Sequence, residues 1–118
     1  MSKELISLME ENLVHVWSQR NASERIKSIQ TIYSEDSGLY HIGHQTKGFE
    51  AINNSVSNVV ANMPKDFIFF KLKPVTINNN IGRLIWGLGP NAASIVATGM
   101  DIAVFEDGKI KSLYVFLD

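Results

Sequence analysis

The chain contains no cysteine. That excludes a disulfide framework, a thiolate metal site and a cysteine nucleophile, and it leaves the redox compartment open. No run of Lys or Arg offers a track for phosphates, and 11 basic residues against 12 acidic ones give a net charge of -1. Nucleic acid is therefore not an expected partner. Apolar runs extend only a few residues, far short of the roughly 20 that a membrane helix needs, so no membrane partner is expected. The opening Met1-Ser2-Lys3-Glu4 leads into an acidic amphipathic segment rather than an apolar signal core, and the default expectation is a cytoplasmic protein. Neither a phosphate-cradling glycine loop nor a nucleophilic serine elbow occurs.

What is present is the balance of a folded domain: 45% hydrophobic and 19% charged residues over 118 positions. That is enough for one core and too little for two, so residues 1–118 read as a single domain. Helices come first. Leu5, Ile6, Met9, Leu13, Val16 and Trp17 recur at helical spacing across residues 3–20. Asn21-Ala22-Ser23 breaks the pattern, with Ser23 the expected N-cap of a second helix over 24–33 that buries Ile26, Ile29, Ile32 and Tyr33. Glu35-Asp36-Ser37-Gly38 ends that helix, and Leu39 to Gly43 is short and extended. A third helix fits 49–62 and stops at Met63-Pro64, because proline lacks an amide proton and disfavours helical geometry in the residue before it.

Strands follow. Residues 67–77 predict one strand bent near Pro74, which suits a sheet edge. Residues 83–88, 94–106 and 109–117 predict three more, the last two joined at Asp107-Gly108, a dipeptide that tolerates positive φ and closes a tight hairpin. Asp101 sits mid-strand on the face it shares with Ile95, Ala97, Gly99, Ala103 and Phe105. An ionised carboxylate among such neighbours costs several kcal/mol unless it is paired, hydrogen-bonded or protonated. Either Asp101 has a structural partner or it looks into a cavity.

Four pieces then stand in a telling order: Trp17 near the end of helix one, Ile29-Gln30-Thr31-Ile32-Tyr33-Ser34-Glu35-Asp36, Gly48-Phe49-Glu50-Ala51-Ile52, and Gly99-Met100-Asp101 continuing to Asp107-Gly108-Lys109-Ile110. In this order the chain resembles the nuclear transport factor 2-like superfamily, and within it the SnoaL-like branch related to ketosteroid isomerases and polyketide cyclases. The resemblance implies an α+β, cystatin-like cone. About three N-terminal helices would pack on a curved, mostly antiparallel sheet around an apolar pocket, commonly in a homodimer that packs sheet against sheet. It does not imply an activity, because this superfamily includes isomerases, cyclases, hydrolases and non-enzymatic members. In the ketosteroid isomerase pattern a carboxylic acid on the strand before the last is kept neutral so that it donates a hydrogen bond, and Asp101 falls on that position. The base position is occupied by His41, and the helix-one tyrosine falls close to Trp17, which donates through its indole but does not ionise usefully. Steroid isomerisation by the same triad is therefore not expected.

What remains is a His41–Asp101 pair suited to proton transfer on a small hydrophobic molecule, as in an isomerase, cyclase or hydrolase. The bland reading is a satisfied histidine at a pocket mouth and an aspartate that anchors a strand. Trp17, Tyr33, Tyr40, Trp86 and Tyr114 are candidate ligand-binding aromatics, although aromatics at such spacings also simply fill cores. His41-Ile42-Gly43-His44 invites a metal reading, but i and i+3 of an extended segment face opposite sides, so neither metal nor other cofactor is expected. The last two strands are apolar on both faces, and a second subunit is the economical cover for the outer one. The surviving functions are an enzyme on a small hydrophobic molecule, a non-catalytic binder of one, and a dimeric interaction module.

Overall fold

In the computed structural model, which describes residues 2–118, the first apolar stripe forms helix α1 (Ser2–Glu11) and runs straight into a π-helical turn, Asn12–Trp17. The Ser18 amide reaches back five residues to the Leu13 carbonyl at 3.0 Å, the widened spacing of a π turn. The helix stops there, short of residue 20, because the next side chains are used elsewhere. Ser18 Oγ accepts the Phe69 amide at 3.0 Å, and the Arg20 guanidinium donates to the carbonyls of Val60 and Pro64.

Helix α2 (Ala22–Ile32) begins two residues earlier than Ser23 predicts. Asn21 is its N-cap, with the side-chain oxygen accepting the Glu24 amide at 3.0 Å, a role asparagine fills as well as serine. Tyr33 is not part of this helix. It turns extended and opens strand β1 (Tyr33–His41), where it pairs with Ile110. The Glu35–Gly38 stretch is the irregular middle of that strand, and the register shifts between Tyr33 and Gly38. A short strand β2 (His44–Lys47), which periodicity did not announce, folds back on β1 through Ile42-Gly43, with Gly43 at φ 80. Helix α3 (Phe49–Ala61) ends ahead of Pro64 as expected.

The bend at Pro74 divides the predicted 67–77 strand into β3 (Ile68–Lys71) and β4 (Thr76–Asn78), both paired with β5 (Ile81–Gly89). Strands β6 (Ala97–Glu106) and β7 (Lys109–Leu117) complete one sheet in the order β2-β1-β7-β6-β5-β3, with β4 also beside β5. Every pairing is antiparallel except β1 with β7. The hairpin between β6 and β7 turns on Asp107 and Gly108 at φ 53 and φ 76, a pair of positive angles that fits the strand twist. Strand β7 does not keep a strict alternation of faces. Strict alternation sets Ile110 opposite Leu113, yet both are fully buried. The register shifts where Val104 pairs with Ser112 and Phe105 with Ile110, and the extra residue is a bulge that returns Ile110 to the inner face.

The concave inner face carries Leu39, Leu84, Ala103, Phe105 and Leu113, packed against Met9, Val16, Ile29, Ile52 and Val56 of the helices. Arg25 is buried among these helices, with no carboxylate partner among the described residues. Its guanidinium donates to the Gln19 carbonyl, to the Asn53 carbonyl and side-chain oxygen, and to Ser57 Oγ, over 2.7–3.0 Å. Among the described residues no helix is long and apolar enough to cross a membrane.

Candidate functional site

Strand register gathers the site. His41 pairs with Val115, Val115 with Asp101 and Asp101 with Leu84, and residues facing each other across paired strands project to the same side of the sheet. His41, Val115 and Asp101 thus share one row on the concave face. Two strand spacings of about 4.8 Å separate His41 from Asp101, leaving their backbones about 10 Å apart with Val115 between them. No direct hydrogen bond joins them. The cooperating pair expected from sequence is instead two groups facing one space.

That space is a cavity of about 180 Å³ between the sheet and the helices. Its closed end is made by Leu13, Trp17, Trp86 and Asp101, all buried, and its mouth by His41, Ile42, Met63 and Leu117. The π turn presents Leu13 and Trp17 together to this wall. Phe69 stands edge-on between the indoles, 6.1 Å from the Trp17 ring and 5.1 Å from the Trp86 ring, which is favourable aromatic geometry. Arg20, holding carbonyls in the last turn of α3 and just after it, fixes the segment that carries Met63.

Asp101 is 3% exposed, and its side chain has one hydrogen-bond partner among the described residues. Trp86 Nε1 donates to Asp101 Oδ1 at 2.9 Å. Gly99, directly opposite Trp86, makes this possible, because a side chain there would collide with the Trp86 ring. Desolvation pushes the Asp101 carboxyl up to about 7 against the opposing pull of the Trp86 donor. Near neutral pH a large share of the molecules therefore carry a protonated Asp101, able to donate into the cavity.

Tyr33 is buried beside this wall and donates to Asn12 Oδ1 at 2.7 Å. Burial, and then the charge of Asp101, push its hydroxyl pKa up, so it stays neutral. The Trp17 indole N–H is buried toward that hydroxyl and pulls its pKa back down a little, without a well-formed hydrogen bond among the described residues. His41 Nε2 and Ser55 Oγ are 3.1 Å apart. Burial, and then the neighbouring His44, lower the His41 pKa and favour the neutral imidazole.

Of the sequence candidates, Asp101, His41, Trp17 and Trp86 line the cavity. Tyr33 lies just behind its wall. Tyr40 and Tyr114 do not line it: they face each other on the outer side of the sheet, stacked with ring centroids 4.7 Å apart. His44 is also placed differently from its expectation. The turn at Ile42-Gly43 makes it the cross-strand neighbour of His41, and the two rings stack at 4.8 Å. No third ligating side chain joins them among the described residues. Asn12, Ser55, Phe69, Val115 and Leu117 were missed. Only Asn12 had left a trace, a polar residue on the buried side of an apolar stripe.

Neither a sequence-family profile nor any curated protein matches the chain. Solved structures do. A candidate isomerase of the SnoaL-like family from Agrobacterium tumefaciens str. C58 superposes with a TM-score of 0.87 at 21% identity, over 100% of this chain and 99% of that one. A candidate ketosteroid isomerase from Kribbella flavida DSM 17836 gives a TM-score of 0.73 at 11% identity, over 98% of this chain and 78% of that one. A protein of unknown function with a cystatin-like fold from Methylobium petroleophilum PM1 gives 0.74 at 11% identity, over 98% and 76%. The chain therefore has the α+β cone fold that SnoaL-like and ketosteroid-isomerase-like proteins share.

Proposed function

We propose that this protein binds a small apolar carbonyl compound in the cavity and moves a proton on it. The observation that carries this reading is Asp101, a buried carboxyl with one protein partner among the described residues, at the closed end of a largely apolar space. Protonated, it donates to a carbonyl oxygen. The carbon beside that carbonyl then becomes more acidic. His41, neutral and across Val115 from Asp101, takes the proton from that carbon, and its return to the same or another position completes the turnover. Neighbours of the same fold named as candidate isomerases support this class of chemistry.

The test is solvent deuterium uptake next to the carbonyl in a panel of small cyclic ketones, followed by NMR. Catalysed uptake that falls about 10²–10³-fold in Asp101→Leu is expected, the usual effect of losing one such donor. Uptake at the uncatalysed rate would overturn the enzymatic reading. Binding without uptake fits the alternative, a non-catalytic binder, which the missing contact between His41 and Asp101 favours. We also infer a homodimer through the outer face of β5, β6 and β7. There Ile85, Met100 and Phe116 form one row and Ile102 and Tyr114 the next, none of them fully buried.

A further inference from the structure

The cavity changes character from end to end. The Asp101 carboxyl is at the closed end, and beside His41 the mouth is made of apolar side chains, two of them exposed: Ile42 at 69% and Leu117 at 65%. These are large exposures for side chains that also line a cavity. Ile42 is held there by the β1–β2 turn and Leu117 by its pairing with Gly99 at the end of β7. The two belong to different strands at the same rim, with half-buried Met63 beside them. The enclosed volume is small. An apolar cavity of about 150 Å³ holds benzene, so about 180 Å³ accepts one six-membered ring and its carbonyl oxygen. Any larger ligand must leave through the mouth and cross Ile42 and Leu117.

We propose that the ligand is a ring ketone carrying an apolar tail opposite its carbonyl, and that Ile42 and Leu117 select for the tail. This rests on the carbonyl-binding reading above and adds what that reading leaves open, the part of the ligand that the cavity does not hold. The carbonyl lies toward Asp101, the ring fills the enclosed volume, and the tail lies along the rim and covers side chains that otherwise meet water. Burying a methylene fully is worth about fourfold in affinity, so a tail half-covered on the rim should gain about twofold per methylene.

The experiment is calorimetric titration of wild type and of the Ile42→Ser/Leu117→Ser double variant with cyclohexanone, 4-propylcyclohexanone and 4-pentylcyclohexanone. Both positions are surface-exposed, so the variant should fold, which thermal unfolding checks. The single variants stand in for it otherwise, each expected to lose about half of the effect. In wild type the affinity is expected to climb about eightfold from cyclohexanone to the propyl compound and further to the pentyl one. In the double variant the ratio of the propyl and pentyl affinities to that for cyclohexanone should fall toward one, whatever its affinity for cyclohexanone itself. An equal climb in both proteins would overturn the rim's role, as would a flat series in wild type that still binds cyclohexanone. Binding of none of the three would overturn the carbonyl-binding reading itself, and the rim's role with it.

Discussion

At Asp101 the chain accepts a carboxyl where its neighbours are Leu84, Ala103 and Val115, and the consequence is a stability that depends on pH. The folded-state pKa of about 7 lies above the ordinary carboxyl value of 3.8. Between those values the folded protein holds a proton that the unfolded chain has released. The stabilisation is therefore complete below about pH 4 and is lost as pH rises toward 7, on the order of 4 kcal/mol in all. His41 pulls the other way, since its pKa is lowered. Melting curves from pH 5 to pH 8 should show wild type losing stability as pH rises, with Asp101→Asn flattening or reversing the trend. An unchanged slope in Asp101→Asn would remove the buried proton. Asp101 was legible in the sequence because a carboxylate on an apolar strand face has to be explained. Its partner was not, since nothing in the chain states that Gly99 lies opposite Trp86 and lets the indole lean toward Asp101. Tyr40 and Tyr114 show the converse: composition marks an aromatic as a pocket candidate, while strand parity decides which face it takes.

Among the elements, the π turn and α2 depend on contacts far along the chain, and this is where reading from sequence went furthest astray. Periodicity found the three helices because an apolar stripe is a local signal. It overran Trp17 because Ser18 and Arg20 are claimed by β3 and by the end of α3, contacts about 40–50 residues away. It missed β2 because four polar residues paired at a sheet edge leave no alternation to detect. Arg25 ties these helices together by donating to neutral acceptors. Replacing it by Met keeps the stem's volume and strands the acceptors of Asn53, Ser57 and Gln19. A loss of about 3 kcal/mol is expected, read as a lower urea midpoint at unchanged slope. A midpoint within experimental error of wild type would mean that water reaches those acceptors.

For the whole molecule the two faces of the sheet make different demands. The inner one is covered by helices, and the outer one displays Ile81, Tyr114 and Phe116 as exposed residues. If a second copy covers them, sedimentation at micromolar concentration should report a dimer, and Ile102→Glu, in the middle of the patch, should convert it to a monomer with its melting temperature largely retained. A monomeric wild type would leave that face to another partner. The strand order adds something about how such a molecule comes into being. β7, the last strand in sequence, lies between β1 and β6, and it is the strand through which the β1–β2 hairpin joins the rest of the sheet. A ribosome delivers β1 long before residues 109–117 exist. Until β7 is made, then, the sheet can form only as two unjoined pieces, each with an open edge and the future row of His41, Val115 and Asp101 split between them. The cavity comes together only once β7 is in place, in a step that a chain cut before β7 could never take.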